Sequence, residues 1–427
     1  MKADLVISNI GQLLTCASGG RLKRGERMRD VGITTDSAIA VIDGKIASMG
    51  NSAEIVRQYS SADQIDAGGK VVCPGFVDAH THTVYAGDRL NEFELKIKGA
   101  DYLDILAAGG GILSTVEKTR QASCNELVKL ALARLDTMLA CGTTTAEIKT
   151  GYGLDTDTEL KMLSVIEELD KRHQIHIVPT FLSAHAVPTE YKENIDGYVG
   201  LVCDEMLPRA WDWYERSHFS AANVTFFVDV FCEKNAFDLK QSKMILETAQ
   251  RIGFRLKAHV DEFSNLGGSR MAIGLGAISI DHLDTISSDE VKLLAASDTI
   301  GVVTPTVNFS FGSGTFADAR TLINEGCAVA LSTDFNPGSA PCPSLPMSMA
   351  IACRYQKLSP AEALNAATIN SAFAIGVGDR TGSVETGKQA DLLVLDTNDF
   401  RQVCYEFGSN LVTTVVRSGE IVMPRSL

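Results

Sequence analysis

Phe76-Val77-Asp78-Ala79-His80-Thr81-His82 ends an apolar run that begins at Val71-Val72-Cys73-Pro74-Gly75. Side chains alternate along a β-strand, so His80 and His82 leave on the same face. Two imidazoles at that spacing can reach one metal ion. Alone, a His-x-His reads equally well as two solvated or core histidines, so the rest of the chain decides. Only eight of the 427 residues are histidine, and three others also stand at the ends of apolar runs.

With Val71–Asp78 as the first, candidate strands continue at Thr143–Lys149, His176–Ser183, Val224–Phe231, Arg255–His259, Ala277–Asp281, Gly301–Pro305 and Val329–Thr333. Helical patterns fall between many of them. Asn125 to Leu139 carries Leu127, Leu130, Ala131, Leu135 and Met138 at helical spacing. Thr156-Asp157-Thr158-Glu159 reads as a capping box, as do Ser287 to Glu290 and Ser359 to Glu362, and Gly253 reads as a helix stop. Strands alternating with helices predict an α/β protein, a TIM (β/α)8 barrel over residues 66–379. A doubly wound open sheet is the alternative. No Gly-x-Gly-x-x-Gly follows the first strand, which counts against a dinucleotide site.

The two ends differ from the middle. Asp43-Gly44 separates two apolar-rich runs, a hairpin signal, and Val412 to Val422 repeats the strand–turn–strand pattern. Ala390 to Asp396 adds another strand. Residues 1–65 and 380–427 are therefore expected to join into one composite β-sandwich domain.

Composition excludes several classes. The net charge is −14 with no basic cluster, which argues against nucleic acid and anionic membranes as partners. No stretch approaches the ~20 apolar residues that span a bilayer, and the apolar run near Met1 is too short for a signal peptide. The ten cysteines form no Cys-x-x-Cys pair and lie in apolar segments, so buried free thiols and a cytoplasmic location are expected.

The active site of a TIM barrel gathers at the C-terminal ends of its strands. Strand one ends at His80 and His82, and strand three at His185. Strand five ends at His259, with Glu262 three residues on. Strand six ends at His282 and strand eight at Asp334. Five of the eight histidines thus fall on one rim, whereas His173, His176 and His218 read as surface or packing residues. Imidazoles and a carboxylate suit one divalent ion, Zn²⁺ or Fe²⁺, with a position left open for water.

His80-Thr81-His82 with a strand-five histidine, a strand-six histidine and a strand-eight aspartate resembles the single-metal branch of the amidohydrolase superfamily. Nearly the whole chain is similar to its imidazolonepropionase family. The carrying segments are Asp78–Arg89, Asn91–Glu94, Ala107–Arg120, Glu147–Leu154, Asp229–Ala236, Ser264–Gly268 and Ser332–Ser339. Ala-Gly-Gly-Gly-Ile before Ser-Thr-Val, and Lys-Thr-Gly-Tyr-Gly, are the specific ones. Ser339 departs from the threonine expected there, and Glu262 occupies a position that relatives fill with Glu or Gln.

The resemblance implies His80, His82, His259 and Asp334 as metal ligands, and Glu262, His282 and Asp334 as the catalytic groups. It implies 4-imidazolone-5-propanoate as substrate, N-formimino-L-glutamate as product, and a homodimer. Bottom-up, a propanoate calls for a cation with two parallel donors, and Arg89 stands in the loop over the barrel mouth. Tyr152, between Gly151 and Gly153 on an exposed turn, is a candidate substrate contact, as are Tyr102 and His185. Asn336, Gly338 and Ser339 follow the metal aspartate on a loop and are expected to hold the far end of the molecule, although ordinary turn chemistry also explains them. Glu262 would take a proton from water and pass it to the departing ring nitrogen. Two rivals stand: another amidohydrolase reaction, such as deamination of a nucleobase or related ring, and a metal-free barrel that binds a partner protein.

Overall fold

Eight parallel strands follow one another in space in the order of the chain: β1 Phe76–Asp78, β2 Thr143–Lys149, β3 His176–Ala184, β4 Phe227–Cys232, β5 Arg255–Val260, β6 Ser279–His282, β7 Ile300–Val303 and β8 Ala328–Leu331. This computed structural model describes residues 1–98 and 110–424. The barrel closes just beyond the strands. Thr81 bridges Phe335 in parallel, and His82 N donates to Phe335 O at 2.9 Å. Beneath that bridge the buried Asp78 carboxylate accepts from Thr333 N at 3.1 Å, from Thr333 Oγ1 at 2.6 Å and from the Ser332 hydroxyl. One side chain of the first strand thus seals the seam to the last.

Helices on the outside bury the faces their patterns foretell. Cys124–Ala140 is capped by Ser123 and turns Leu127, Ala131, Leu135 and Met138 inward. Ser287 and Ser359 head the helices Ser288–Ala295 and Pro360–Asn365 with reciprocal capping boxes, and Gly253, at φ +133°, ends Leu239–Ile252. The third expected box is different. Asp155, not Thr156, caps Thr156–Arg172, and Glu159 instead accepts from Gly151 N, Gly153 N and Leu154 N. Its carboxylate folds the loop after β2 rather than the helix start.

The run Val71–Asp78 is two strands, not one. Val71–Pro74 pairs antiparallel with Leu392–Leu395 and parallel with Gln12–Leu14, outside the barrel, and only Phe76–Asp78 enters it. Gly75 is the joint: a Cβ there would sit 2.2 Å from Thr144 Oγ1. Val224–Phe226 precedes β4, and Pro305 opens the helix Pro305–Phe311 instead of extending β7. Proline suits a first helical turn, where its missing N–H has no partner to lose.

Residues from both ends build two further sheets. Lys45–Asn51, Ser37–Ile42, Leu5–Ile10 and Asp63–Asp66 form one, and Glu420–Pro424, Val412–Arg417, Leu392–Leu395, Val71–Pro74, Gln12–Leu14 and Ile33–Thr34 the other. Leu5, Ile7, Ile39 and Val41 of the first sheet pack with Val72, Leu392 and Val416 of the second. The Asp43-Gly44 turn has φ of +51° and +71° and joins its strands as the sequence foretells. All ten cysteines are free thiols. Among the described residues no helix is long and apolar enough to cross a membrane.

Candidate metal centre and active site

His80 and His82 follow β1, and their Nε2 atoms lie 3.2 Å apart over the barrel mouth. Asp334, held at φ +48° just past β8, places Oδ1 3.5 and 3.4 Å from them. His259 of β5 brings a ring nitrogen within 4.8 Å of both. His282, the last residue of β6, groups in the same way with His80 and Asp334. His259 Nε2 and Asp334 Oδ1 are buried without a hydrogen-bond partner among the described residues. Orphaned buried polar atoms cost about 1–3 kcal/mol each, so their convergence fits a cation that would satisfy them. Burial, followed by Lys149 and the neighbouring imidazoles, holds His80 well below the usual imidazole range. Burial, with His185 and His259 behind it, does the same for His82. Neutral rings keep the lone pairs a metal needs.

Carboxylates behind the rings orient them. His80 Nδ1 meets Asp281 Oδ2 at 2.7 Å, which puts its proton on Nδ1 and leaves Nε2 as the free donor atom. His259 Nδ1 lies 3.0 Å from Asp229 Oδ2, out of line for a full hydrogen bond, while its backbone N donates to Asp229 Oδ1 at 3.1 Å. Lys149 Nζ joins this layer from beneath, 2.8 Å from Asp229, 2.7 Å from Glu147 and 3.7 Å from Asp281. Burial opposes the charge on Lys149, but Asp229, Glu147 and Asp281 together outweigh it and raise its pKa. Lys257 Nζ completes the floor, 3.1 Å from Glu147 and 3.0 Å from Ala79 O. None of these five charged residues is exposed.

Glu262 stands at the side of the cluster, its Oε2 3.8 Å from His282 Nε2. Burial, reinforced by the carboxylates of Asp334, Asp284 and Glu233, pushes its pKa well above the usual range. His282 Nδ1 faces Thr304 Oγ1 at 3.0 Å; with that nitrogen accepting, the ring proton resides on Nε2.

A cavity of about 580 Å³ opens beside the cluster. Arg89, Tyr152, His185, Glu262, Asn336, Gly338 and Ser339 all line it. Arg89 Nε donates to Thr115 Oγ1 at 3.2 Å, and its guanidinium packs on Gly338, where a Cβ would lie 2.2 Å from Nη1. His185 stacks on His82, centroids 4.8 Å apart and planes 12° from parallel, with Nδ1 3.0 Å from Gly151 O. Burial, then His259, lowers its pKa to about 3. Asn336 Oδ1 accepts from Gly338 N and Ser339 N at 2.8 Å each, and its Nδ2 donates to Ser339 Oγ at 2.7 Å.

Tyr152 is buried at 3 % exposure, not on an open turn. Glu159 draws in the backbone on either side of it, and its ring packs 5.5 Å from His185. Tyr102 lies outside the described residues. His173 pairs with Asp136, and His218 lies between Glu167 and Asp170, both away from the rim. Sequence reasoning passed over Glu92, which accepts from Gly111 N at 2.8 Å and lies 3.5 Å from Arg89, and Glu233 on the cavity wall. Both sit in quoted segments, Asn91–Glu94 and Asp229–Ala236. It also passed over the charged floor, signalled by Glu147, Lys149 and Lys257 within otherwise buried strands.

Solved structures similar to this fold include a zinc-bound adenosine deaminase from Xanthomonas campestris. Its TM-score is 0.73 at 19% identity, covering 99% of this chain and 93% of that one. Guanine deaminase of E. coli aligns with a TM-score of 0.70 at 17% identity over 99% of both chains. These likenesses concern the fold alone. In sequence, imidazolonepropionase of Chloroflexus aggregans is 51% identical over 98% of both chains. That of Herpetosiphon aurantiacus is 49% identical over 100% of this chain and 98% of its own. Residues 71–422 match the amidohydrolase family. With that match, a full-length likeness at such identity and a buried His/Asp cluster at the mouth of a parallel barrel, this chain belongs to the amidohydrolase family and, within it, to the imidazolonepropionases.

Proposed function

We infer that this chain hydrolyses the ring C–N bond of 4-imidazolone-5-propanoate to N-formimino-L-glutamate, a step of histidine degradation. The observation that carries the reading is full-length identity of 51% to an imidazolonepropionase. An arginine set in the wall of a cavity beside a His/Asp cluster supports it.

His80, His82, His259 and Asp334 would hold one divalent ion, Zn²⁺ or Fe²⁺, since both accept nitrogen and carboxylate ligands. Such an ion supplies Lewis acidity and a water with a pKa of roughly 7. Arg89 offers the propanoate a planar pair of donors, with Gly338 leaving room for the guanidinium. Tyr152 and His185 wall the ring, and the Asn336–Ser339 loop takes the other end; Tyr102 is proposed as a further contact. Glu262, its charged form disfavoured by burial, accepts the proton of the attacking water as oxygen bonds to the ring carbonyl carbon. His282 donates from Nε2 to the developing oxyanion. When the C–N bond breaks, Glu262 returns its proton to the leaving nitrogen.

The test is an absorbance assay of imidazolonepropionate consumption with and without a chelator. Ring opening without ammonia, abolished by the chelator and restored by added Zn²⁺ or Fe²⁺, is expected. Ammonia release would assign a deaminase instead, and chelator-resistant turnover would remove the metal.

We further propose that residues 1–65 and 380–427 act as one composite β-sandwich domain beside a 66–379 barrel that lends it Val71–Pro74. Hydrogen bonds from Val384 N to Thr15 O and from Ile46 N to Lys388 O support this. A cytoplasmic homodimer is the proposed working form.

A further inference from the structure

Glu233 follows β4 and is 4 % exposed, and both of its carboxylate oxygens are engaged. Oε1 accepts from Lys234 N at 2.8 Å and from the Ser264 hydroxyl. Oε2 accepts from Phe263 N and Ser264 N, each at 3.0 Å. Phe263 is the residue next to Glu262. On the other side of Glu262, Asp261 is fixed by the loop after β6 and by the helix Gly268–Gly274. Its carbonyl accepts from Thr285 N at 2.8 Å and Thr285 Oγ1 at 2.9 Å, and its carboxylate accepts from Ser269 Oγ at 2.5 Å. The backbone is therefore pinned on both flanks of Glu262. The Phe263 side chain, 61% exposed, gives that flank little packing, so the Glu233 carboxylate supplies the anchor.

We propose that Glu233 is a positioning residue that holds the Phe263–Ser264 backbone so that Glu262 meets the reacting water in line. The inference rests on the reading of Glu262 as the base. It also gives a role to Glu233 and Ser264, which the reaction itself leaves unused. A carboxylate can accept four hydrogen bonds from two sides; an amide cannot. In Glu233→Gln one side of the group becomes an NH₂ that faces either the two backbone N–H groups or Lys234 N, with Ser264 Oγ able to turn and accept from it, so at least one of the four bonds is lost in either orientation. The hold of residue 233 on its neighbours weakens with it. Misplacing a reacting group by about 1 Å can cost on the order of 10²-fold in rate.

The experiment compares metal-loaded wild type, Glu233→Gln, Glu262→Gln and the double variant on imidazolonepropionate, with metal content measured for each. The expected result is a fall in kcat of about 10-fold or more for Glu233→Gln, with KM and metal content near wild type. The double variant should be no slower than Glu262→Gln alone, because Glu233 acts only through Glu262. Wild-type kcat in Glu233→Gln overturns the proposal. So does a double variant slower than Glu262→Gln by the whole Glu233→Gln factor. Wild-type kcat in Glu262→Gln is a separate outcome; it removes the base and this proposal with it. Ser264→Ala deletes one of the four bonds and decides the matter if Glu233→Gln does not fold. It should lower kcat a few-fold in the wild-type background and not at all with Glu262→Gln.

Discussion

Arg89 meets its surroundings through a planar fork: Thr115 on Nε, Glu92 near Nη1, Gly338 against the face. Lysine would keep the charge and lose the fork. Arg89→Lys is expected to cost roughly 1.5–3 kcal/mol in kcat/KM, the range for a hydrogen bond to a charged group. Steady-state kinetics on imidazolonepropionate checks this, and an unchanged kcat/KM would place Arg89 outside the binding set. Glu262 gives a different signature. It stands beside His282 rather than among the converging nitrogens. Glu262→Gln should therefore retain its metal and its KM while kcat falls by about 10²–10⁴, the range for general acid–base catalysis. Loss of metal would make Glu262 a ligand, and full kcat would pass the base role to His282 or Asp334.

At the scale of elements, the helix Ser288–Ala295 rests on one side chain. Ser287 Oγ accepts from Glu290 N, and Glu290 reaches back to Ser287 N and also accepts from Asn265 Nδ2 at 2.6 Å. Ser287→Ala should lower stability by about 1 kcal/mol, the usual worth of an N-cap, read as a shift of the denaturant midpoint at constant slope. That box was legible in the sequence because its residues touch mostly one another. The one at Thr156 was misread because Asp155 stands one residue earlier and Glu159 is drawn away to the preceding loop. The eight strands were legible from their apolar runs, and so was the rim of histidines, since strand ends in a barrel share one face. The split at Gly75 was not, because Val71–Pro74 is as apolar as a barrel strand and its partner lies far along the chain. Of the charged floor of the barrel only the charges inside apolar strands were legible; its members come from four strands and find one another in three dimensions. For the same reason Tyr152 was taken as exposed: nothing local reports that Glu159 pulls its turn inward.

Across the whole molecule, Glu362 ties distant parts together. Its fully buried side chain takes a two-pronged contact from Arg320, at 2.8 and 2.9 Å, and another from Arg29 at 3.2 Å, linking the N-terminal segment to the barrel's outer helices. Burial works against its charge, but Arg320 and Ser359 outweigh burial and draw its pKa from an ordinary 4.5 to about 2. A carboxylate whose folded pKa is depressed stabilises fully above its unfolded value and loses that contribution as pH falls toward the folded one. Glu362→Gln should therefore lower Tm most near neutrality, and the gap to wild type should close between about pH 4.5 and 2. Thermal melts across that window check it; a gap independent of pH would show that charge is not what matters there.

Leu392–Leu395 lies between Val71–Pro74 and Val412–Arg417, and Gly75 alone separates Val71–Pro74 from β1, which leads to His80 and His82. Ribosomes deliver a chain N-terminus first. The edge of Val71–Pro74 that Leu392–Leu395 will cover thus stays open through most of translation, a row of unpaired amides and carbonyls able to recruit other nascent chains. The strand that covers the edge next to the first barrel strand is made long after it, so a product stalled or clipped before Leu392 would carry its histidines correctly encoded and its sheet still unsealed.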